Sequence, residues 1–444
     1  MNPKKHKALK YYLDNIKPFL DKKPYLKKNL KIIWKKIYRT QLKLNSIYLA
    51  IDLDKIYWIN PGKILFYKLK SESSKRVYKN KIRKTFKYGR KICNIVKIED
   101  KAMYQSFYLH FIRGKKWKET DTYKQVIHRI ESGESLWCCS SIREYDKRCE
   151  KLDKLYANIK NNGLKSQKTL KKDSLLKKNR ILEIADEITI LVGPEGEMIH
   201  RHSGNHRLTM AKIIGLEKIP VQILYRHKDW LRFRKEIIKY IHREMRGKAY
   251  QPILHPDLSD IPSLWSEKRF KIIRNNLSVR KGTLLDIGAY WGYFCHQFEK
   301  LGFQCTALES FEKNLYFMKK LKQAEILNFD IIEKSIFDED LLGFFEESIS
   351  FDIVLALNLF NQKLDIGKTD FTEKFVTILR KIRAKELYLQ IPEEEAIQGL
   401  DDKDKRETGN FSYRNLIECI MDSTQFSQLK KIGEERNHGV YKLF

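Results

Sequence analysis

The chain has 444 residues and a mass of 53.1 kDa, enough for two or three domains with cores of their own. Its 88 Lys+Arg against 56 Asp+Glu give a net charge of +32. No uncharged apolar run of about 18 residues offers a membrane-spanning helix, and seven irregularly spaced cysteines without a CxxC pair argue against a disulfide framework or a zinc cluster.

The charge is uneven. Residues 1–250 hold 61 basic and 25 acidic side chains, and residues 251–444 hold 27 and 31. The basic half is therefore expected to meet an anionic partner, either nucleic acid or an acidic membrane surface, or phosphorylated substrates. A codon bias toward Lys, Ile, Asn and Tyr accounts for the same composition. The opening residues, MNPKKHKALKYYLDNIK, have no apolar secretory core, so a cytoplasmic protein is expected, with a peripheral membrane contact as the alternative.

Residues 1–45 read as basic helices around Leu20, Leu30, Ile33, Trp34 and Ile37, broken by Pro18 and Pro24. Residues 46–70 look strand-like, and 70–100 read as a charged connection within an insertion near 70–150. The aromatics Trp117, Tyr123 and Trp137 mark 101–150 as folded. A helix is expected from Cys149, with Leu152, Leu155, Tyr156 and Ile159 on one face and Gly163 as its cap. EITILVGPEGEMIH (187–200) predicts two strands around a Gly/Pro turn, IPVQILY (219–225) a third, and 229–249 a basic helix. Residues 250–262, YQPILHPDLSDIP, with three prolines, are the expected linker between a domain over 46–249 and another over 263–444. From there strand and helix alternate, which predicts a parallel α/β sheet.

Two turns carry chemistry. The first is Ser203-Gly204-Asn205 before a helix starting near His206-Arg207. A glycine there lets backbone N–H groups face an anion. Arg207 is misplaced for the helix dipole but well placed for a phosphate. His200, His202 and His206 form an H-x-H-x3-H array, which the flanking Arg201 and Arg207 make a better anion site than a metal site. The second is TLLDIGAYWGYFCHQFEKLGFQCTALES (283–310). A strand ends near Asp286, Gly288 and Gly292 allow a tight loop into a helix, and a second strand ends in Glu309. Such a turn and acid let a nucleoside lie across the carboxyl ends of a parallel sheet. The Gly spacing is not G-x-G-x-x-G, so no pyrophosphate site is expected.

The D-x-G-x-x-x-G wording, DIGAYWGYF, resembles motif I of class I S-adenosylmethionine (SAM)-dependent methyltransferases, and FkbM-like members in particular. FDIVLALNLFN (351–361), KELYLQIP (385–392) and FSQLKKIGEERNHGVYKLF (426–444) resemble that family's fourth strand, fifth strand and terminal antiparallel hairpin, with its turn expected at Asn437-His438-Gly439. The resemblance implies a Rossmann-like fold and SAM as methyl donor. It implies a methionine pocket shaped by Asp286, Gly288 and Gly292, and narrowed by Tyr290, which stands where many relatives have Gly. It places Glu309 on the ribose, Ser335 and Ile336 near the adenine, and Asn358 and Asn361 where the methyl leaves. Asn358-Leu359-Phe360-Asn361 lacks the Pro-Pro core of the amine-gripping loop in N6-adenine and N4-cytosine base methyltransferases, and no Pro-Cys occurs. The FkbM-like wording instead leans toward O-methylation of a glycan, glycolipid or other small-metabolite hydroxyl.

Residues from roughly 55 to 226, with an insertion near 70–150, INPGKI (59–64) as an opening strand and the most specific match over 149–224, resemble the ParB/sulfiredoxin-like superfamily, an α+β fold. This implies that Gly204, Asn205, His206 and Arg207 cradle the phosphates of ATP or CTP. Asn205 replaces the reactive cysteine of sulfiredoxins, so sulfinic-acid repair is not expected. In related kinases a carboxylate acts as base, and Glu183, Asp186, Glu195 and Glu197 are the candidates here. Two other functions follow from these likenesses: a nucleic-acid-associated protein with ParB-like CTP switching and modification of DNA or RNA, and a small-metabolite kinase fused to a methyltransferase.

Overall fold

A computed structural model describes residues 55–69, 84–88, 91–137, 139–172, 187–201, 203–345, 350–359, 368–392 and 413–444. The expected basic helices of 1–45 lie outside the described residues, as do Cys138, Glu183, Asp186, His202 and Asn361. The chain divides into two compact units, Met1–Arg232 and Phe233–Phe444. Residues 250–262 belong to the second unit, where His255, Asp257 and Leu258 are buried and Ala249 bridges to Ser263. Among the described residues no helix is long and apolar enough to cross a membrane.

The first unit is α+β. Its strands are β1 (Tyr57–Ile59), β2 (Ile64–Lys68), β3 (Lys84–Tyr88), β4 (Lys91–Lys97), β5 (Ile188–Val192), β6 (Met198–His200) and β7 (Ile219–Arg226). They form a mixed sheet in the order β1-β7-β5-β6-β2-β4-β3. INPGKI is not one strand. β1 ends at Ile59, Asn60 Oδ1 accepts a hydrogen bond from Gly62 N at 2.7 Å, and Pro61–Lys63 make a single 3-10 turn before β2. The stretch read as a charged connection contains the β3–β4 antiparallel hairpin, and its Ile95, Val96 and Ile98 are buried. Lys84 and Lys87 belong to β3, an edge strand, where such charges are at home.

The helices of this unit include α1 (Ala102–Phe111), α2 (Asp121–Glu131), α3 (Ile142–Asn162), α4 (Gln167–Lys172) and α5 (Asn205–Ile214). α3 starts seven residues before Cys149. Its cap is Ser141, whose Oγ accepts from Glu144 N, while Glu144 Oε2 accepts from Ser140 N and Oγ. Ser141 thus satisfies one orphan amide, and Glu144 ties the residue before the cap back to the first turn. Helix α6 (Lys228–Glu244) runs across the division and ends five residues short of the expected 249.

The second unit has strands β8 (Thr283–Ile287), β9 (Gln304–Leu308), β10 (Asp330–Ile332), β11 (Ile353–Leu357), β12 (Glu386–Pro392), β13 (Leu429–Glu435) and β14 (His438–Leu443) in the order β10-β9-β8-β11-β12-β14-β13. The first five are parallel, and β14 is antiparallel to both of its neighbours. This is the expected Rossmann-like methyltransferase fold with its terminal hairpin. Helices α7 (Lys268–Asn275), α8 (Tyr293–Glu299), α9 (Glu312–Glu325), α10 (Lys368–Ile382) and α11 (Tyr413–Ser423) complete it. β11 is buried at every residue, as a parallel strand covered on both faces requires. Two cores result. Leu285, Ile287, Val354, Ala356, Leu387 and Leu389 pack on one face. Leu284, Ile353, Leu355, Leu357 and Tyr388 pack on the other with Phe270, Ile273 and Phe294. The hairpin turn is Arg436-Asn437 rather than 437–439, with Glu435 paired to His438. Both turn residues have positive φ, 54° and 57°, as a two-residue turn between right-twisted strands demands.

Candidate functional site

In the second unit, Gly288 and Ala289 N–H both donate to Leu308 O, at 2.9 and 3.0 Å, which ties the loop after β8 to the end of β9. Gly292 then caps α8 in the left-handed region at φ 77°, where a Cβ would stand 3.1–3.2 Å from Phe329 and Met318. Tyr290 also has positive φ, 56°, which is costly for an aromatic residue. Glu309 holds it there: Oε2 accepts from Tyr290 N at 2.9 Å and from Asn314 Nδ2 at 3.4 Å. Oε1 accepts from Ser310 N at 3.0 Å and Phe311 N at 2.8 Å. The carboxylate is thus saturated by four donors. Burial raises its pKa, and the backbone bonds oppose the rise. The Tyr290 ring stacks on Trp291 and meets Tyr250 edge-on, and its hydroxyl lies 3.0 Å from Met245 Sδ.

Below the loop is a buried polar layer. Side chains alternate along a strand, so Asp286 shares the face of Leu284 and Gln390 that of Tyr388, both toward α7 and α8. They lie on the two strands that flank β11: Asp286 pairs with Leu355 and Gln390 with Leu357. Arg269 of α7 is 1% exposed and donates Nη1 to Gln390 Oε1 at 2.9 Å. Its guanidinium lies 4.4 Å from the Trp265 ring centre and 5.6 Å from that of Tyr250. Asn358, at positive φ 56° after β11, donates Nδ2 to Tyr250 Oη at 2.7 Å. Among the described residues Asp286 Oδ2, Asn358 Oδ1, Gln390 Nε2, and Arg269 Nε and Nη2 are buried without a hydrogen-bond partner. Burial pushes the Asp286 carboxyl up to about 8, although Arg269 draws it down. Such orphans each cost about 1–3 kcal/mol unless an ordered water or a ligand meets them.

The loop therefore brings together Asp286, Gly288, Tyr290, Gly292, Glu309 and Asn358. Ser335 and Ile336 are not part of this layer. Ser335 caps a turn, donating its N–H to Asp338 at 2.9 Å, and the Ile336 side chain is buried in the core beside Leu308. Sequence reasoning missed Arg269, Gln390, Tyr250 and Trp265. Gln390 within the apolar run of β12 was the one local signal; α7, KRFKIIRN, reads as an ordinary basic helix.

In the first unit, Gly204 caps α5 at φ 77°, and a Cβ there would stand 2.9 Å from Ile188 Cα. Asn205 Oδ1 accepts from the buried Lys101 at 2.8 Å. His206 stacks on Phe107, and Trp137 meets it edge-on. Burial lowers its pKa to about 4, with help from Arg148, Lys101 and Arg207. The turn is thus a cationic corner around a neutral imidazole. His200 contacts the turn from its strand, with Nε2 2.9 Å from Ser203 O. Of the candidate bases, Glu197 is buried and accepts from Glu195 N at 3.0 Å.

No protein-family model matches the chain. No curated protein matches it either. Among solved structures, monomeric WbdD aligns over 46% of this chain and 48% of its own, at 18% identity and a TM-score of 0.36. Another WbdD structure is described as a bifunctional kinase-methyltransferase. The alignment therefore spans about half of the WbdD chain. The N-methyltransferase NodS from Bradyrhizobium japonicum WM9 aligns over 40% of this chain and 92% of its own, at 11% identity and a TM-score of 0.30. The PH0226 protein from Pyrococcus horikoshii OT3 aligns over 46% and 97%, at 13% identity and a TM-score of 0.34. Likenesses this remote carry no argument about activity.

Proposed function

We propose that the second unit is a SAM-dependent methyltransferase domain, acting on a hydroxyl of a glycan, glycolipid or other small metabolite. The supporting observation is the buried layer of unmatched polar atoms at the carboxyl ends of β8, β11 and β12, beneath a glycine loop tied to the end of β9. This is the ligand position of an open α/β sheet. SAM would supply an electrophilic methyl on a sulfonium, which leaves as a thioether while the acceptor oxygen forms the new bond and its proton passes to water. Asp286 would meet the donor's ammonium, Gly288 and Gly292 would admit it, and Tyr290 would close over it. Asn358 Oδ1, anchored through Nδ2 to Tyr250, would orient the acceptor hydroxyl; Asn361 is the second candidate for that task. For Glu309 to take the ribose hydroxyls, the Asn314 amide has to give way, as the longest of its four donors.

The first unit is proposed as an accessory nucleotide-binding domain of the ParB/sulfiredoxin-like kind, with the Gly204-Asn205-His206-Arg207 turn on ATP or CTP phosphates. The cations around His206 support this. The first test is calorimetric titration of SAM into wild type and Glu309→Ala. Micromolar binding weakened about ten- to hundred-fold in the variant is expected from the loss of a charge-assisted contact. Absence of SAM binding to wild type refutes the reading, and so does label transfer from SAM to RNA or DNA but not to glycans.

A further inference from the structure

We infer that the outer face of α6 in the second unit is a docking rail for a polyanionic glycan chain, so that the methyl acceptor carries repeated phosphate, sulfate or carboxylate groups. The inference rests on the methyltransferase reading and adds the charge of its acceptor. Residues 233–444 hold 33 basic and 33 acidic side chains, so the unit as a whole is balanced. Its exposed cations are nevertheless gathered along α6. Lys235, Lys239, His242 and Arg246 follow in steps of four, three and four residues, which keeps them on one side of a helix. All four are exposed, and so is Lys248 just beyond. The other side is covered: Phe233, Ile237 and Ile241 are buried, and the Phe233 and Tyr240 rings meet Phe317 of α9 at 6.1 and 5.3 Å between centres.

The stripe is uncompensated. Glu236 is drawn inward to α9, where it accepts from Lys313 Nζ at 2.5 Å and Tyr316 Oη at 2.9 Å. Glu244 pairs with Arg243 at 3.2 Å. Among the described residues Lys235, Lys239, Arg246 and Lys248 form no ion pair. Neighbours in such a stripe stand about 5–6 Å apart, within the Debye length of about 8 Å at physiological salt. They repel one another until an anion lies across them. From Lys235 to Arg246 the stripe runs about 16 Å at about 1.5 Å per residue, the length of several charges on a chain rather than of one small anion. It ends at the candidate site. Met245 Sδ lies 3.0 Å from Tyr290 Oη, and the Tyr250 ring lies 5.4 Å from that of Tyr290. A chain laid along the stripe is thereby led to the loop proposed to hold the donor. A helix that lies in a membrane surface needs a free apolar face, and that of α6 is covered by its own unit. Single-stranded nucleic acid stacks its bases on exposed aromatics set among the cations. The stripe has none, and Tyr240 is packed against Trp291 and Phe317.

The experiment uses phosphomannan, heparin (sulfated), polygalacturonate (carboxylated), neutral dextran and poly(U). Each is titrated into wild type, into Lys235→Glu/Lys239→Glu/Arg246→Glu, and into Lys147→Glu/Lys151→Glu/Lys154→Glu, an equal reversal at exposed residues of α3. SAM is titrated into the same preparations. Wild type should bind at least one anionic glycan and not dextran, with an affinity that falls as salt rises. The α6 reversal should weaken that binding about ten-fold or more, because three exposed contacts are lost and reversed. The α3 reversal should change it about two-fold at most. Equal losses in the two variants mean that net charge alone attracts the chains, and overturn the rail. Dextran binding as tight as that of the anionic glycans overturns it too, as does absence of binding by all three. Loss of poly(U) binding in the α6 reversal without loss of glycan binding makes the face a nucleic-acid surface and overturns the glycan. SAM binding by wild type is read separately, so a failed rail leaves the donor reading standing. Absence of SAM binding beside an α6-specific loss of glycan overturns the donor reading and supports the docking surface. If the α6 reversal fails to fold, Lys235→Gln/Lys239→Gln/Arg246→Gln, which removes charge without adding acid, is read in its place.

Discussion

Two turns in this chain share a backbone and differ in charge. Gly204 and Gly292 cap their helices at φ 77° in both cases, with ψ 21° and 26°. Around Gly204 stand Lys101, Arg148 and Arg207, with His206 driven to its neutral form. Around the loop that ends at Gly292 stand Glu309 and Asp286, with carboxyls pushed upward by burial. The same left-handed cap offers amides at a helix N-terminus each time. What differs is the neighbours, which come from other elements and set the sign of the ligand. One corner is lined with cations, and the other has acids close to the amides.

The steric demand on the two glycines is the sharpest way to break this likeness. A Cβ at Gly204 meets the Ile188 main chain at 2.9 Å, whereas at Gly292 it meets only side-chain atoms of Phe329 and Met318 at 3.1–3.2 Å. Gly204→Ala should cost about 2–5 kcal/mol, the sum of left-handed strain and an immovable clash. Gly292→Ala should cost about 1–2 kcal/mol, mostly the strain. Urea unfolding with hydrogen exchange on β5 and β8 separates them. Equal losses would show that the main-chain contact at Ile188 is not the stronger constraint.

The acidic corner gives a pH signature. With Asp286 titrating near 8, the free protein holds the proton below that pH, and a ligand ammonium binds the ionised form. Affinity for SAM should therefore fall about tenfold per pH unit as pH drops below 8, and level off above it. In Asp286→Asn affinity should be low and flat with pH. The linkage to stability has the opposite sense. A folded pKa above the unfolded 3.8 costs stability as pH rises from about 4 to 8, so Asp286→Asn should raise Tm at pH 9. Calorimetry at several pH values checks both. A wild-type affinity independent of pH means that Asp286 does not face the ammonium.

Much of the second unit was legible because a parallel strand covered on both faces is a short apolar run, and strand–helix alternation repeats from 283 onward. The hairpin turn was misread by one residue because Asn-His-Gly looks more like a turn than Arg436-Asn437; yet the register allows only two residues between Glu435 and His438. The β3–β4 hairpin was hidden by its charge; that Lys84 and Lys87 of β3 sit at the sheet edge is a tertiary fact that local sequence does not carry. The α3 start carries a cap pattern in Ser141-Ile142-Arg143-Glu144, which the apolar spacing from Cys149 onward does not include. At the site, Asp286, Gly288 and Gly292 are set by local chain geometry and could be read in order. Arg269, Gln390 and Tyr250 reach the same layer from helix α7, strand β12 and a loop. Nothing in their own neighbourhoods says that they meet.

The basic corner makes the smallest prediction and the one most specific to charge. His206 has burial and three cations against its protonated form. In the absence of ligand the first unit should lose stability as pH falls from about 6.5 toward 4, because the unfolded chain takes up a proton that the folded one refuses. A phosphate at the turn offsets those cations, so it should raise the His206 pKa, by roughly one unit for about 1.4 kcal/mol of interaction. Imidazole proton shifts, followed by NMR through the titration with inorganic phosphate, ATP or CTP, read this directly. The nucleotide that moves the midpoint most at equal saturation is the one the corner prefers. A midpoint that none of them moves means that the cations serve only one another's neighbours, and that the charge difference between the two turns does not set a ligand.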